Sequence, residues 1–179
     1  MKTEPSISTL HEGNFLRLQQ VGRWEYVERT KANGVVAILA VTDEGNVILI
    51  EQYRPPLGKM IVEIPAGLSG DHAGAEGELL IEAARRELLE ETGYHAAKME
   101  FLFEGPSSAG LTTETVTFFL ARELVHIGPA LGDGSEQIVQ YEIPICEVED
   151  WLAKRFLDGR AVDCKIYTAL FLVRHQIGL

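Results

Sequence analysis

The stretch "RRELLEETGY", Arg85–Tyr94, most constrains the fold, because its apolar residues recur at the spacing of an amphipathic helix. Three glutamates, Glu87, Glu90 and Glu91, fall within the same segment. Residues three and four apart share a helix face, so each such like-charge pair destabilises an isolated helix by roughly 0.2–0.5 kcal/mol. We therefore expect cations to compensate these carboxylates, and the candidates are arginines and metal ions.

Segments with strand-like patterns lie on both sides of this helix. They are predicted around Asn14–Gln20, Trp24–Thr30, Gly34–Thr42, Asn46–Tyr53, Met99–Phe103, Thr115–Arg122 and Gln137–Ile143, with a short apolar piece at Met60–Ile64. The central helix is predicted to begin near Gly77 or Glu78 and to end at Gly93, and two more helices near Glu147–Leu157 and Val162–Gln176. This order predicts an α/β protein in which mixed sheets are sandwiched between helices.

The chain of 179 residues is most simply one domain. Residues 1–32 are predicted to form an added strand layer, and residues 33–179 the main domain. The added strands carry more apolar side chains than a small sheet can bury alone, among them Phe15, Leu16 and Trp24. We therefore expect residues 1–32 to be a dimerisation region.

The net charge of −11 and the pI of about 4.9 argue against a nucleic acid as the main partner, since binding one needs a basic surface. No segment approaches the roughly 20 apolar residues of a membrane span, and the N-terminus lacks the apolar core of a signal peptide. Two cysteines, Cys146 and Cys164, form no CxxC motif and suit a reducing compartment. We expect a cytoplasmic protein without membrane contact.

The three glutamates have two interpretations from the residues alone. Mg²⁺ prefers oxygen ligands and binds one or two carboxylates together with substrate phosphate oxygens, so the cluster predicts a site for a hard cation. Alternatively, the helix face is solvated, and Arg86 pairs with Glu90 one turn later. The same residues thus predict either a metal site or a surface ion-pair network.

The spacing around the helix favours the metal site. Gly67, Glu78 and the sequence "RELLEETGY" from Arg86 closely resemble the Nudix box of the Nudix hydrolase superfamily, G-x5-E-x7-R-E-U-x-E-E-x-G-U, where U is a bulky apolar residue. The match departs from the pattern in having ten residues instead of five between Gly67 and Glu78. The enlarged loop, residues 68–77, is predicted to bulge into solvent beside the substrate mouth. The resemblance implies an α/β/α sandwich and hydrolysis of a nucleoside diphosphate linked to another group.

Other segments resemble the ADP-ribose pyrophosphatase branch of that superfamily: "VILIEQYRPP", "EIPAG", "EQIVQYEIP" and "FLDGRAVDCKIYTALFLVRHQ". In this branch, Mg²⁺ is held at the positions of the Ala66 carbonyl, Glu87 and Glu91 and by an acidic residue of a later loop, best matched by Glu136. Glu90 is a further predicted ligand. The predicted cofactor is thus Mg²⁺, with Mn²⁺ as a substitute, and dimers of the branch imply a homodimer.

Hydrolysis of a pyrophosphate also needs a base for the attacking water and cations for the phosphate oxygens. The candidate bases are Glu136, Asp133 and a metal-bound Glu90, and the residues leave the choice open; Arg86 is assigned to the catalytic group as part of the box.

Arg54 is predicted to lie at the end of a strand and to bind a phosphate oxygen of the substrate. The alternative is that it forms a surface ion pair. Arg29 is a weaker candidate of the same kind. Trp24 is predicted to stack on the purine base of the substrate; the alternative is a contact in the core or in a dimer interface.

The segment "SAGLTTE", Ser108–Glu114, resembles a substrate loop "SPGxTxE" of the same branch, with Ala109 in place of the proline. This resemblance implies that Glu114 faces the ribose or a pyrophosphate-bound water of the substrate. Leu68 is a further predicted substrate contact.

The leading prediction is a pyrophosphohydrolase that converts ADP-ribose to AMP and ribose 5-phosphate. Its alternatives are another nucleoside diphosphate sugar of the GDP-mannose type, a broad-specificity enzyme, and a Nudix-like module that senses a nucleotide without cleaving it. The three intact glutamates argue against the sensing module.

Overall fold

The computed structural model describes residues 6–72, 74–75, 77–130 and 138–177, and of residues 175–177 the backbone alone. The strands of the described residues are β1 Ile7–Glu12, β2 Leu16–Val21, β3 Trp24–Arg29, β4 Gly34–Val41, β5 Asn46–Arg54, β6 Lys59–Glu63, β7 Ala66–Ser69, β8 Tyr94–Pro106, β9 Thr115–His126, β10 Val139–Pro144 and β11 Ala161–Val162. The helices are α1 Leu80–Thr92, α2 Val148–Leu157 and α3 Cys164–Ile177.

The strands form two sheets. The first is an antiparallel sheet of β1, β2 and β3, in that order. The second is a mixed sheet in the order β11-β6-β5-β4-β9-β8, in which β10 also pairs with β5 and β7 with β4. Strands β4 and β9 are parallel, as are β11 and β6, whereas β5 pairs with β6 in the antiparallel sense. The predicted mixed sheets are confirmed.

Strand β4 lies between two apolar cores, because successive side chains of a strand point to opposite faces. Ala37 and Leu39 pack with Val148 and Leu152 of α2 and with residues of α3. The alternate β4 residues pack on the other face with Ala83, Ala84 and Leu88 of α1. The long apolar run of β4 is therefore buried on both sides, and the sheet is sandwiched between α1 and the pair α2 and α3.

The strand bounds differ from prediction mainly where the sequence is polar. β1 was not predicted, because all six of its residues are exposed and, among the described strands, it pairs with β2 alone. β7 was assigned in part to the enlarged loop. β8 extends over 13 residues because it pairs with β9 along almost its whole length.

Helix α1 begins at Leu80, two or three residues later than predicted. Glu78 does not enter the helix, because its carboxylate accepts hydrogen bonds from the Gly70 N–H and from Arg86. The predicted end is confirmed: Gly93 caps α1 with a φ of 73°. A Cβ atom at Gly93 would lie 1.9 Å from the Gly128 carbonyl oxygen, so both the conformation and the space require glycine.

None of the helices in the described part of the chain has the length and apolar character to cross a membrane.

Candidate active site

Arg86 connects the acidic side chains around the start of α1. Its Nε and Nη2 donate to the two carboxylate oxygens of Glu78 at 3.0 and 3.1 Å. Its Nη1 donates to Glu87 at 2.8 Å and to Glu90 at 3.1 Å, and Nη2 also reaches the Leu68 carbonyl at 2.8 Å. The hydrogen bonds to Glu78 and the neighbouring charges raise the pKa of Arg86. Arg86 thus offsets part of the repulsion among the glutamates and links α1 to β7.

Glu87 lies directly against Gly67 of β7. A Cβ atom at Gly67 would be 2.0 Å from the Glu87 carboxylate carbon, so any side chain there would displace the carboxylate. Glu87 is largely buried, and burial raises its pKa although Arg86 acts in the opposite direction. The glycine that opens the box therefore provides space for one of its glutamates.

Glu91 is the most buried carboxylate of the cluster, with a relative exposure of 8%. Its Oε2 accepts a hydrogen bond from the Ala66 N–H at 3.0 Å. The pKa of Glu91 is raised to about 8, chiefly by burial and also by the neighbouring charge of Glu87, against the lowering effect of the Ala66 hydrogen bond. A carboxylate in such a place is stabilised as an anion by a nearby cation.

The predicted ligands among the described residues, Ala66, Glu87, Glu90 and Glu91, belong to β7 and α1, and their donor set of carboxylates and a backbone carbonyl suits a hard cation. Ala66 contacts Glu91, and the next residue of β7, Gly67, contacts Glu87. Among the described residues, no three acidic, histidine or cysteine side chains form a ready-made cation site. The Glu87 and Glu90 carboxylates turn towards Arg86 instead. To bind a cation, Glu87 and Glu90 would have to give up Arg86 as their partner or bind it and the cation at the same time.

A cavity of about 790 Å³ is lined in part by Ala66 and Gly67. Its wall includes the predicted substrate residues Arg29, Arg54, Leu68 and Glu114, together with Glu63, Asp163 and Lys165. The volume is in the range of pockets that bury a drug-sized ligand. The structure therefore brings four of the five predicted substrate residues to one cavity next to the glutamate cluster.

Arg54 and Glu63 form an ion pair in the cavity wall. Arg54 ends β5 and donates from Nε and Nη2 to the same Glu63 oxygen, at 3.0 Å in each case. Burial raises the pKa of Glu63, and Arg54 lowers it. The sequence analysis did not single out Glu63, although its place in "EIPAG", four residues before Gly67, was the available signal.

Arg29 and Glu114 are paired with each other in the cavity wall. The pair joins β3 to the segment before β9, and two backbone hydrogen bonds reinforce the connection: Val27 N–H to Leu111 O at 2.8 Å and Thr113 N–H to Val27 O at 3.2 Å. The N-terminal sheet is thereby attached to the predicted substrate loop.

Trp24, the remaining predicted substrate residue, does not line the 790 Å³ cavity. Its ring faces Gly110 of the same loop, where an added Cβ would lie 3.8 Å away, and it is 56% exposed. Within a single chain, Trp24 is therefore not one of the side chains that line this cavity.

The enlarged loop is shorter than predicted, because Leu68 and Ser69 belong to β7. Ser69 is fully buried and donates from Oγ to the Glu78 carbonyl at 2.9 Å. The following residues line a second cavity of about 500 Å³ together with residues 30–33. Asp71 lies 4.0 Å from Arg86, and His72 lies 3.6 Å from Asp71. The loop thus borders the glutamate cluster as well as solvent.

The candidate bases Asp133 and Glu136, and with them the fourth predicted metal ligand, lie outside the described residues. Their assignment stays a prediction.

The NUDIX domain model matches residues 31–163, about three quarters of the chain. The chain belongs to the NUDIX domain family. The residues that resemble the Nudix box lie within this match, and the protein is a Nudix pyrophosphohydrolase, of a family that generally uses divalent metal cations.

Two curated relatives and one solved structure resemble the chain. The methanol dehydrogenase activator of Bacillus methanolicus is 37% identical over 139 residues, which cover 76% of this chain and 72% of that protein. The ADP-ribose pyrophosphatase of Bacillus subtilis (strain 168) is 48% identical over 97 residues, which cover 54% of this chain and half of that protein. A crystal structure described as an ADP compounds hydrolase superposes with a TM-score of 0.76 at 24% sequence identity. The superposition covers 98% of this chain and 95% of that protein, and it shows the fold.

Proposed function

We propose that this Nudix enzyme hydrolyses the pyrophosphate bond of ADP-ribose and releases AMP and ribose 5-phosphate, with Mg²⁺ as its cofactor and Mn²⁺ as a substitute. One observation carries the proposal: the cavity containing Arg54 shares its Ala66–Gly67 wall with the box carboxylates. A pyrophosphate in this cavity would meet a cationic side chain on one side and the metal ligands on the other. The name of the Bacillus subtilis relative supports ADP-ribose as the substrate.

Glu87, Glu91 and the Ala66 carbonyl would hold the cation, together with Glu90 and Glu136. Bound there, Mg²⁺ would acidify a water and neutralise charge on the phosphoryl oxygens. The protein's contribution is to hold the ligands in place: Gly67 leaves space for Glu87, the Ala66 N–H fixes Glu91, and Arg86 anchors Glu87 and Glu90.

A carboxylate would take the proton of the attacking water, and three remain candidates: Glu136, Asp133 and Glu90. Glu90 is the most accessible carboxylate of the described cluster, with a side-chain exposure of 40%. Its Oε2 accepts a hydrogen bond from Arg86 Nη1 at 3.1 Å, which keeps it beside Glu87. This accessibility supports Glu90 as a group that water can reach.

The substrate roles follow the cavity wall. Arg54 would bind a phosphate oxygen, since guanidinium groups offer forked donors for such oxygens. Glu114, paired with Arg29, would bind a ribose hydroxyl or a water on the pyrophosphate, and Leu68 would supply an apolar contact. Trp24 would reach a base only from a second subunit, which fits its position outside the cavity of its own chain.

We further propose a homodimer in which residues 1–32 form the dimerisation region and residues 33–179 the hydrolase domain. The start of the family match at residue 31 supports this boundary. The first sheet and the turn between β1 and β2 expose Ile7, Leu10, Phe15, Leu16 and Trp24 by between 47% and 74%, and a second subunit would cover such a surface. Two exposed free cysteines, at positions 146 and 164, suit the reducing cytoplasm as its compartment.

A GDP-mannose-type sugar or a broad substrate range remains the second candidate, because Ala109 stands where the resembling substrate loop has proline. A sensing module is less well supported, since the three box glutamates are present. The test is a panel of ADP-ribose, GDP-mannose and other nucleotide sugars at equal concentration with Mg²⁺. The proposal requires the highest kcat/KM for ADP-ribose; a higher value for another sugar would reassign the substrate.

A further inference from the structure

Glu63 occupies an unusual position for a carboxylate. It is the last residue of β6, has a relative exposure of 5%, and still lines the main cavity. One of its oxygens, Oε2, accepts from Gln52 Nε2 at 2.9 Å and from Arg54 Nε and Nη2 at 3.0 Å each. Burying a charge is costly unless it is paired and hydrogen-bonded, so the position depends on these donors.

The strand register explains how the three side chains meet. Glu63 is paired with Ile50 of β5, and residues 50, 52 and 54 of that strand point to the same face. Gln52 is only 1% exposed, so its amide is held by packing, and it fixes the Glu63 carboxylate from one side. The carboxylate in turn holds the half-buried guanidinium of Arg54 at the end of β5.

We infer that Glu63 is a positioning residue for Arg54, which it orients towards the phosphate oxygens of the substrate. A guanidinium has five donors in one plane, so two bonds to Glu63 fix the orientation of that plane. An arginine held in advance loses less conformational entropy when the substrate binds, and it keeps its place as charge develops. The inference rests on the proposed use of Arg54 for a pyrophosphate.

The chain offers a matched control in Glu51, on the opposite face of β5. Glu51 is also buried, at 3% exposure, and also pairs with an arginine, with Arg160 Nε at 3.1 Å and Tyr141 Oη at 3.1 Å. None of these three residues lines the main cavity. Glu51→Gln therefore reproduces the loss of a buried carboxylate–arginine pair without touching Arg54.

The test is a double-mutant cycle of Glu63→Gln and Arg54→Lys, with Glu51→Gln as the control. We expect Glu63→Gln to lower kcat/KM about tenfold or more, as Arg54→Lys does, and to cost less than about threefold when Arg54→Lys is already present. Glu51→Gln should leave kcat/KM within about twofold. Cation binding, measured as the increase in Tm on addition of Mn²⁺, should be unchanged by Glu63→Gln.

Independent losses that multiply in the double variant would overturn the inference, as would equal losses from Glu51→Gln and Glu63→Gln. If the wild type does not hydrolyse ADP-ribose, the proposed function fails alone, and the cycle is run with the panel substrate that the enzyme cleaves. Calorimetry with inorganic pyrophosphate and Mg²⁺ gives a second readout that needs no turnover. In this assay Glu63→Gln must weaken pyrophosphate binding when Arg54 is present and must have no further effect when Arg54→Lys is present. Any other pattern contradicts the inference.

Discussion

The burial of Glu91 leads to a prediction about stability without a metal. In the folded chain the pKa of Glu91 is raised to about 8, from an ordinary value of 4.5, chiefly because the carboxylate is removed from water. Between these two values the unfolded chain loses the proton while the folded chain keeps it. Unfolding therefore releases a proton, and this group makes the free energy of unfolding decrease as the pH rises through that window.

The size of the effect follows from the two pKa values. Each pH unit between them costs about 1.4 kcal/mol, so the contribution of Glu91 near pH 7 is roughly 3 kcal/mol, as an upper bound. Glu91→Gln removes the ionisable group and keeps an oxygen that can accept the Ala66 N–H. The metal-free variant should match the wild type near pH 4.5 and exceed its free energy of unfolding by up to about 3 kcal/mol near pH 7.

The assay is urea unfolding of both proteins in a chelating buffer at several pH values between about 4.5 and 8. Glu90→Gln is the matched control, because Glu90 is on the same helix but far more exposed. This variant keeps Glu91, so the decrease in the free energy of unfolding that Glu91 causes between about pH 4.5 and 7 should persist in it. Added Mg²⁺ should stabilise the wild type more than Glu91→Gln, because ligands that bind only the folded state shift the equilibrium. A wild type and a Glu91→Gln variant that differ by the same amount at every pH would refute the reasoning.

Three further predictions concern the box, its loop and the first sheet. Gly67→Ala should lower turnover by roughly tenfold or more, with unchanged helix content by circular dichroism, because its Cβ would displace Glu87; wild-type turnover would contradict this. Deleting residues 71–75 restores the common box spacing and spares Ser69, so kcat should be largely kept while KM or substrate choice changes. A folded, cation-binding deletion variant without turnover would instead assign a catalytic group to Asp71 or His72. Removing residues 1–30 should lower activity and give a monomer by sedimentation, and a fully active monomer would disprove the dimer.

The helices and strands with a regular apolar pattern could be predicted from the sequence, because each such pattern fits one type of secondary structure. The apolar run of β4 and the stripe of α1 both correspond to buried surfaces, and the end of α1 follows from a glycine. β1 could not be predicted, because an exposed strand at the edge of a small sheet has no apolar pattern. The predicted start of α1 was wrong, because Glu78 makes tertiary contacts with Gly70 and Arg86 that cannot be inferred from local helix propensity.

The candidate site was predictable as a set of residues but not as a set of contacts. Spacing placed Glu87, Glu90 and Glu91 on one helix, and the structure adds that Gly67 leaves space for one of them. The pairing of Arg29 with Glu114 connects positions 85 apart in sequence, so no local pattern could reveal it. The burial of Glu63 depends in the same way on the register of β5 and β6.

The central claim is that the buried box carboxylates make this chain a cation-dependent pyrophosphohydrolase. It is tested most directly by quantifying AMP and ribose 5-phosphate from ADP-ribose with Mg²⁺ for the wild type, Glu87→Gln and Glu91→Gln. We predict equal amounts of the two products from the wild type, none when the cation is chelated, and turnover lower by at least about a hundredfold in each folded variant. Unchanged Mg²⁺-dependent turnover in both variants would contradict the account.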